Sequence, residues 1–355
     1  MNLQAIINET GSLDLRGMTN RLVRGENLSR TEAANFLNAL LDPAATDTQI
    51  AAALTALTAK GETIEELAGM AEAMRARATC LNSRHEQFID TAGTGSSAAK
   101  TLNVSTAAAF VIAGSGLPVA KHGARAVSSN SGSADVLDAL GVNTVASPEI
   151  VQRCLNEHGI CFIFAPFFHR ATARVAKVRR ELGVPTTFNL LGPLTNPARA
   201  PFQLVGVWHP SLVERIASAL ALLGVKQAWV VHGADGLDEV TITGETLVAA
   251  CSARSGVKTF TVSPEDFGLQ RQSVSRHREG PAANGRVTRA IVAGEKNGDF
   301  AVARDLVVIN AAAALYLAGV VNDFQNATAM ARESIDSGQA ASKLEALIRE
   351  TNRSL

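Results

Sequence analysis

Residues 90–141 read DTAGTGSSAAKTLNVSTAAAFVIAGSGLPVAKHGARAVSSNSGSADVLDALG, and this stretch decides the fold. A β-prone segment ends in the turn Gly93-Thr94-Gly95, and Asn103-Val104-Ser105-Thr106 then opens an apolar helical run. Strand, glycine turn and helix in that order predict a βα unit. Glycines let backbone N–H groups approach a ligand closely, and a helix N-terminus adds partial positive charge. The unit is therefore a candidate anion site.

A second polar loop strengthens this prediction. The apolar stretch 117–120 leads into Lys121-His122-Gly123, and the serine-rich residues 128–133 lead into a helix predicted over 134–140. A G-T-G turn alone is more often a simple tight turn, and neither a Walker loop nor a G-x-G-x-x-G fingerprint is present, because Ala98 stands at the third glycine position. Two loops, with Lys121 as a point charge, suit a polyphosphate better than a neutral ligand.

Composition limits the class of protein. The 355 residues are 46% hydrophobic and 19% charged, which is enough for one large or two modest domains. Lys plus Arg equals Asp plus Glu at 33 each, so the chain lacks the excess of positive charge that would indicate nucleic acid as its main partner. The four cysteines show neither zinc nor disulfide spacing, and we expect reduced thiols. With no leader-like N-terminus and no uninterrupted membrane-length apolar run, we expect a cytoplasmic protein without a membrane segment.

The chain divides into a helical part and an α/β part. Residues 1–79 predict a small helical domain, because capping boxes precede apolar helical patterns at Ser29 with Glu32, Thr46 with Gln49, and Thr63 with Glu66. In residues 80–355, β-prone runs alternate with helices such as 212–223, which predicts an α/β domain with a largely parallel central sheet. The runs expected as strands include 161–164, 203–207, 228–231 and 240–242.

A basic helix interrupts the α/β pattern. Residues 169–182 have helical periodicity, Gly183-Val184-Pro185 ends it, and the segment 169–185 is predicted to join the helical domain in space. Most of its basic residues suit a solvated face: Arg174, Lys177 and Arg180. Arg179 instead falls among apolar neighbours in the helical register, and a half-buried arginine needs an anionic partner.

An acidic pair follows another predicted strand. Asp238 and Glu239 come after strand 228–231 and the turn His232-Gly233, at the carboxyl end where open α/β sheets bind ligands. An isolated pair of this kind is more often an exposed acidic turn. Together with two phosphate loops it favours Mg²⁺, since the cation can bridge carboxylate and phosphate oxygens. Ser105 and Thr106 fit three roles: helix caps, phosphate donors, or part of the cation's shell.

Taken together, these motifs resemble the anthranilate phosphoribosyltransferases, the tryptophan-pathway members of the nucleoside-phosphorylase-like phosphoribosyltransferases. The resemblance covers nearly the whole chain and implies a small helical domain, a larger α/β domain, an active site in the cleft between them, and commonly a homodimer formed through the helical domain. The matching segments are Lys60-Gly61-Glu62-Thr63, Gly93-Thr94-Gly95, Asn103-Val104-Ser105-Thr106, Lys121-His122-Gly123, residues 131–137, 179–183 and 188–197, and His232-Gly233 with Asp238-Glu239.

The resemblance also implies an activity: Mg²⁺-dependent transfer of 5-phosphoribosyl from phosphoribosyl diphosphate to the amino group of anthranilate. The residues implied for phosphoribosyl diphosphate are Gly93, Thr94, Gly95, Ser96, Ser97, Thr101, Asn103, Ser105, Thr106, Lys121 and Ser133. Those implied for anthranilate are Gly93, His122, Ala124, His169, Arg179 and Pro193, and those for the metal are Ser105, Asp238 and Glu239. Lys121, His122 and Arg179 are the candidate catalytic residues. His122 is either a proton acceptor or a hydrogen-bonded structural histidine.

Three departures from the family pattern keep alternatives open. Ser96-Ser97 replaces Gly-Asp and removes a carboxylate near phosphate and metal, Ala124 replaces an asparagine offered to the aromatic acid, and Arg170 replaces a proline. One alternative is a phosphoribosyltransferase or nucleoside-phosphorylase-type enzyme for another acceptor, which Arg179 suggests is still anionic. The other is a non-catalytic paralogue that binds nucleic acid, against which the balanced charge and the Asp238-Glu239 pair argue.

Overall fold

The computed structural model describes residues 15–94, 102–126, 131–274, 280–298 and 300–353, which divide into two compact units. The helical unit comprises the described residues up to Ala78 together with His169–Leu191. The α/β unit comprises Thr79–Phe168 and the described residues from Gly192 onward. Four of the predicted site residues, Gly95, Ser96, Ser97 and Thr101, lie outside the described residues, as do 128–130 of the second loop.

In chain order the described α-helices and β-strands are α1 (Leu15–Val23), α2 (Arg30–Leu40), α3 (Asp47–Lys60), α4 (Ile64–Arg77), β1 (Ile89–Gly93), α5 (Val104–Gly114), β2 (Val119–Gly123), α6 (Ser133–Ala139), α7 (Pro148–Arg153), β3 (Ile160–Phe164), α8 (Ala165–Phe168), α9 (Ala173–Leu182), α10 (Thr187–Leu194), β4 (Phe202–Gly206), α11 (Ser211–Leu222), β5 (Gln227–Gly233), β6 (Thr246–Ser252), β7 (Gly256–Val262), α12 (Pro281–Val292), α13 (Phe300–Leu317), α14 (Phe324–Asp336) and α15 (Gln339–Thr351).

The helical unit is built from capped amphipathic helices. All three predicted capping boxes are present, so α2, α3 and α4 each begin one residue after their capping Ser or Thr. The helix α2 packs against α4, and α3 packs against both α1 and α9. Close approach of α2 and α4 requires a glycine, because a Cβ on Gly69 would lie 2.0 Å from the carbonyl oxygen of Arg30. The unit therefore buries its apolar stripes in a small helical core.

The basic segment predicted as a helix over 169–182 is helical from residue 170 to residue 182 without a gap. A 3₁₀ turn over Arg170–Thr172 precedes α9, which ends at Gly183 with φ of 65° as predicted. Arg174 and Lys177 are exposed and both bind Asp47, at 2.8 and 3.0 Å, which confirms the solvated face.

The α/β unit contains a seven-stranded sheet in the order β3-β2-β1-β4-β5-β6-β7. The first five strands are parallel, and β6 and β7 add an antiparallel edge. The largely parallel α/β sheet is thus confirmed, and the runs 161–164, 203–207 and 228–231 correspond to β3, β4 and β5. Its central helix α13 is long and apolar enough to cross a membrane by length and composition, but residues 306–315 are all buried in the core of this unit.

The strand predicted over 240–242 is wrong. Val240 N–H donates to Asn310 Oδ1 at 2.9 Å, and Thr241 N–H donates to Thr246 Oγ1 at 3.0 Å. These backbone groups therefore bond to side chains and not to a neighbouring strand. The hairpin of β6 and β7 follows instead. A short apolar run has the same pattern whether or not a neighbouring strand is available to pair with it, which is why periodicity misplaced this strand.

Candidate active site

The site is centred where the strand order of the sheet reverses. The strands β2 and β3 lie on one side of β1, and β4 and β5 lie on the other. Open α/β sheets bind ligands beyond the carboxyl ends of the strands at such a switch point. Here β1 and β4 end in paired glycines, Gly93 and Gly206. A Cβ on Gly206 would lie only 1.7 Å from the carbonyl oxygen of Asp238. The paired glycines therefore leave room for the backbone that carries the acidic pair.

The acidic pair is buried, so this segment is not an exposed turn. Asp238 is 1% exposed and Glu239 is 6% exposed. The backbone N–H of Ser105, in the first turn of α5, donates to Glu239 Oε1 at 3.3 Å. The three predicted metal residues thus belong to one part of the site. Two carboxylates and a hydroxyl are oxygen donors, which suit a hard divalent cation such as Mg²⁺. Among the described residues, no cluster of three or more His, Cys, Asp or Glu side chains competes as a metal site.

A buried lysine lies beside this donor set. Lys121, on β2, is 4% exposed, and its Nζ donates to Ser105 Oγ at 3.2 Å and to the carbonyl oxygen of Thr91. The pairing of β2 with β3 fixes the backbone that carries Lys121. The ammonium group is therefore a fixed positive charge next to the hydroxyl of Ser105, the predicted metal ligand. It lies at the carboxyl ends of the strands, where an anion would bind.

The next residue presents a defined imidazole. His122 is 7% exposed, and its Nδ1 lies 3.1 Å from the carbonyl oxygen of Gly192. Because a carbonyl oxygen can only accept, Nδ1 carries the proton in the neutral ring and Nε2 carries the lone pair. The backbone N–H of His122 donates to Asp90 Oδ1 at 3.1 Å. This arrangement leaves Nε2 as the ring nitrogen that can accept a proton.

Asp90 is a functional candidate that the sequence reasoning missed. Burial raises the pKa of this carboxyl group to about 6, while the Asn196 side chain, the Lys121 charge and the His122 N–H oppose that rise. Asp90 thus interacts with the charge of Lys121 and restrains the backbone of His122. Its signal in the sequence is a carboxylate inside an apolar strand just before the glycine turn.

Asn103 connects the two predicted loops and is itself held by a second asparagine on α12. Asn103 Nδ2 donates to the carbonyl oxygen of Ser131 at 3.3 Å, and Asn103 Oδ1 accepts from Asn284 Nδ2 at 3.1 Å. Asn103 also occupies the N-cap position of α5, so Ser105 and Thr106 do not act as its caps. Asn284, on α12, was missed because it is 181 positions away in the chain.

The remaining predicted residues of the α/β unit lie near the ends of β1, α5, α6 and α10. Thr94 N–H donates to the carbonyl oxygen of Gly206 at 2.9 Å. Ser133 opens α6, and its hydroxyl donates to the carbonyl oxygen of Ala124 at 3.4 Å. Thr106 is buried in α5, and the carbonyl oxygen of Pro193 accepts from Gln203 Nε2 at 2.9 Å.

Arg179 and His169 belong to the helical unit. Arg179 is half-buried, and burial lowers the pKa of its guanidinium. Its Nη2 donates to Asn189 Oδ1 at 3.0 Å, and its Cζ lies 5.5 Å from the centre of the Phe188 ring. Within the described residues of this unit it has no carboxylate partner. His169 is 3% exposed and precedes the 3₁₀ turn.

Comparison with known proteins gives the class of protein. Residues 85–341 match a family model described as the α/β domain of a glycosyl transferase family, and residues 16–78 match the helical bundle domain of the same family. An anthranilate phosphoribosyltransferase of Moorella thermoacetica is 49% identical over 94% of this chain and 97% of its own length.

Solved structures agree with this similarity. The anthranilate phosphoribosyltransferase of Thermus thermophilus superposes with a TM-score of 0.86 at 40% identity, over 94% of this chain and 99% of its own. That of Saccharomyces cerevisiae, in complex with phosphoribosyl diphosphate and Mg, gives 0.86 at 31% identity, over 95% and 97%. In complex with 4-fluoroanthranilate it gives 0.84 at 30%, over 95% and 97%. The chain belongs to the glycosyl transferase family and, within it, to the anthranilate phosphoribosyltransferases.

Replacing the glycine at the end of β4 is expected to destabilise the fold. Gly206→Ala places a methyl group against the Asp238 carbonyl, so we expect a loss of about 3 kcal/mol in the free energy of unfolding, measured by denaturant titration. Gly244→Ala is the matched control, because a Cβ there meets nothing within 4 Å, and we expect a change below about 1 kcal/mol. Equal stability of the two variants would contradict the close approach at Gly206.

Proposed function

We propose that the chain transfers the 5-phosphoribosyl group of phosphoribosyl diphosphate to the amino group of anthranilate, with release of diphosphate, in tryptophan biosynthesis. Family membership supports this reaction. The observation in the chain itself that carries the proposal is the grouping of Lys121, Ser105 and the buried Asp238-Glu239 pair at the switch point. A diphosphate and its cation need fixed positive charge and oxygen donors of this kind.

The proposal assigns Mg²⁺ to Ser105, Asp238 and Glu239. Two buried carboxylates and a hydroxyl supply the oxygen donors that this ion prefers, so these residues would hold it. When bound, Mg²⁺ would stabilise negative charge on the departing diphosphate. Lys121 adds a second positive charge, and the backbone at Gly93 and Thr94 can approach the ligand because β1 ends there.

Acceptor binding depends in this proposal on orientation. The bond between the anomeric carbon and diphosphate breaks, a bond from the same carbon to the anthranilate nitrogen forms, and His122 Nε2 takes the proton that this nitrogen loses. An aniline nitrogen is a weak nucleophile, so holding it in line contributes more than a strong base.

We propose Arg179 as the partner of the anthranilate carboxylate, with Gly93, Ala124, His169 and Pro193 lining its path. Residues 80–355 would bind phosphoribosyl diphosphate, and residues 1–79 with 169–185 would form the helical domain.

The direct test follows anthranilate fluorescence with purified protein. We expect anthranilate to be consumed only when phosphoribosyl diphosphate and Mg²⁺ are both present. Asp238→Ala tests the metal assignment, and we expect this variant to lose Mg²⁺-dependent turnover because one of the two proposed metal carboxylates is removed. Protein that binds phosphoribosyl diphosphate but consumes no anthranilate would instead indicate a different anionic acceptor. Full activity of Asp238→Ala at low Mg²⁺ would overturn the metal assignment.

Arg179→Ala is expected to weaken acceptor binding selectively. A charge-assisted pair with a carboxylate is worth about 2 kcal/mol, so the KM for anthranilate should rise about thirtyfold while that for phosphoribosyl diphosphate stays within about twofold. Steady-state kinetics with each substrate varied in turn measure both. Arg180→Ala, the exposed neighbour, is the matched control and should behave like the unaltered protein. An equal rise in both KM values for Arg179→Ala would disprove the assignment.

We also propose a homodimer formed through the helical unit, in the cytoplasm. An apolar groove lined by residues such as Leu22, Val23, Ala52 and Thr55 supports the interface, and Val23 is 71% exposed. The four free cysteines suit a reducing compartment. Sedimentation equilibrium should give about twice the chain mass of 37.1 kDa. A single-chain mass at micromolar concentration would exclude the dimer.

A further inference from the structure

The segment Lys60-Gly61-Glu62-Thr63 connects α3 to α4 and has no role in the chemistry above. We propose that Glu62 is a positioning residue, which holds Arg179 in its binding orientation through Thr187 and the first turn of α10. This inference rests on the proposed function, in which Arg179 binds the carboxylate of the acceptor. All four elements that carry it, α3, α4, α9 and the start of α10, belong to the helical unit.

The backbone on both sides of Glu62 is fixed by a buried ion pair. Lys60 Nζ donates to Glu66 Oε2 at 2.9 Å and to the carbonyl oxygen of Gly61 at 2.8 Å. The same Glu66 oxygen accepts from Thr63 N–H at 2.7 Å. The side chains of Lys60 and Glu66 are 6% and 0% exposed. Glu62 therefore projects from a loop with little freedom to move.

Glu62 itself is a buried carboxylate that contacts a hydroxyl group. It is 8% exposed, and its Oε1 accepts a hydrogen bond from Thr187 Oγ1. Thr187 is the first residue of α10 and is 1% exposed. Within the described residues of the helical unit Glu62 has no basic partner. Burial of a carboxylate without a cation costs stability. That cost suggests that the hydrogen bond from Thr187 to Glu62 has a functional role.

The residues that follow Thr187 hold the guanidinium of Arg179. Asn189 Oδ1 accepts from Arg179 Nη2 at 3.0 Å and from Thr186 N–H at 3.1 Å, so the amide is itself restrained. The ring of Phe188 lies 5.5 Å from Arg179 Cζ and covers one face of the guanidinium. Since Thr187 adjoins both of these contacts, displacement of the first turn of α10 would release the guanidinium.

The test removes the hydrogen bond from either side. Thr187→Val keeps the shape of the side chain but loses the donor, and Glu62→Ala loses the acceptor. We expect each to raise the KM for anthranilate about tenfold, with that for phosphoribosyl diphosphate changed less than about twofold. Thr187→Ser, which keeps the hydroxyl, should restore the normal KM. Glu65→Ala is the matched control, because Glu65 is exposed in the adjoining first turn of α4.

The double variant separates positioning from a general loss of structure. If both residues act through one contact, Thr187→Val with Glu62→Ala should raise the KM no further than either change alone. Additive effects, equal changes in both KM values, or an unaltered anthranilate KM in folded Thr187→Val would each overturn the proposal. Should Thr187→Val not fold, Glu62→Ala with Glu62→Gln as the conservative variant decides the same question.

A crystal structure of Thr187→Val gives an answer that does not depend on turnover. The proposal requires that the contact between Arg179 Nη2 and Asn189 Oδ1, 3.0 Å here, be lost or the guanidinium become disordered. An unchanged contact would overturn the positioning role. If instead the unaltered protein consumes no anthranilate while the contact is lost in the variant, the proposed function fails and the positioning of Arg179 stands.

Discussion

The close approach of the Asp238 backbone to Gly206 is the constraint on which the rest of the site depends. Two glycines in register end β1 and β4 at the point where the strand order reverses. Because neither has a side chain, the segment after β5 can lie directly on the sheet edge and bury its two carboxylates there. Any larger residue at Gly206 would fill the space that the carbonyl of Asp238 occupies. The burial of the acidic pair proposed to bind the metal is thus a consequence of backbone packing.

Buried charge then limits how the site can be arranged. Lys121, Asp90 and the pair Asp238-Glu239 are all nearly inaccessible to solvent. Charged groups in such surroundings are stabilised by fixed partners. Lys121 donates to the carbonyl oxygen of Thr91 and to the hydroxyl of Ser105, Asp90 accepts from the N–H of His122, and Glu239 accepts from the N–H of Ser105. The consequence is that the protein itself holds the side chains of the candidate site in place, which is the preorganisation that electrostatic stabilisation requires.

The helical unit contributes a different kind of preorganisation. A long arginine side chain has many rotamers. Binding costs less entropy when the protein already restricts those rotamers before the ligand binds. In this chain an amide and an aromatic ring restrict Arg179 directly, and a buried carboxylate restricts the turn that carries them. The Lys60-Gly61-Glu62-Thr63 segment, distant from Arg179 in the chain, becomes part of this restraint through Thr187.

Sequence alone determined the local features of this protein, and only the tertiary structure decided which distant residues meet. The capping boxes fixed the starts of α2, α3 and α4, the glycine after residue 182 ended α9, and the motifs around residues 93, 121 and 238 identified the family and most of the candidate site. Such features depend on neighbours within a few positions.

By contrast, the run 240–242 is not a strand, because the N–H groups of Val240 and Thr241 donate to the side chains of Asn310 and Thr246. The contacts of Asn284 with Asn103, of Asp90 with His122 and of Glu62 with Thr187 join positions far apart in the chain. No local pattern records such pairs, because their energy comes from burial and hydrogen bonding that exist only once the chain has folded.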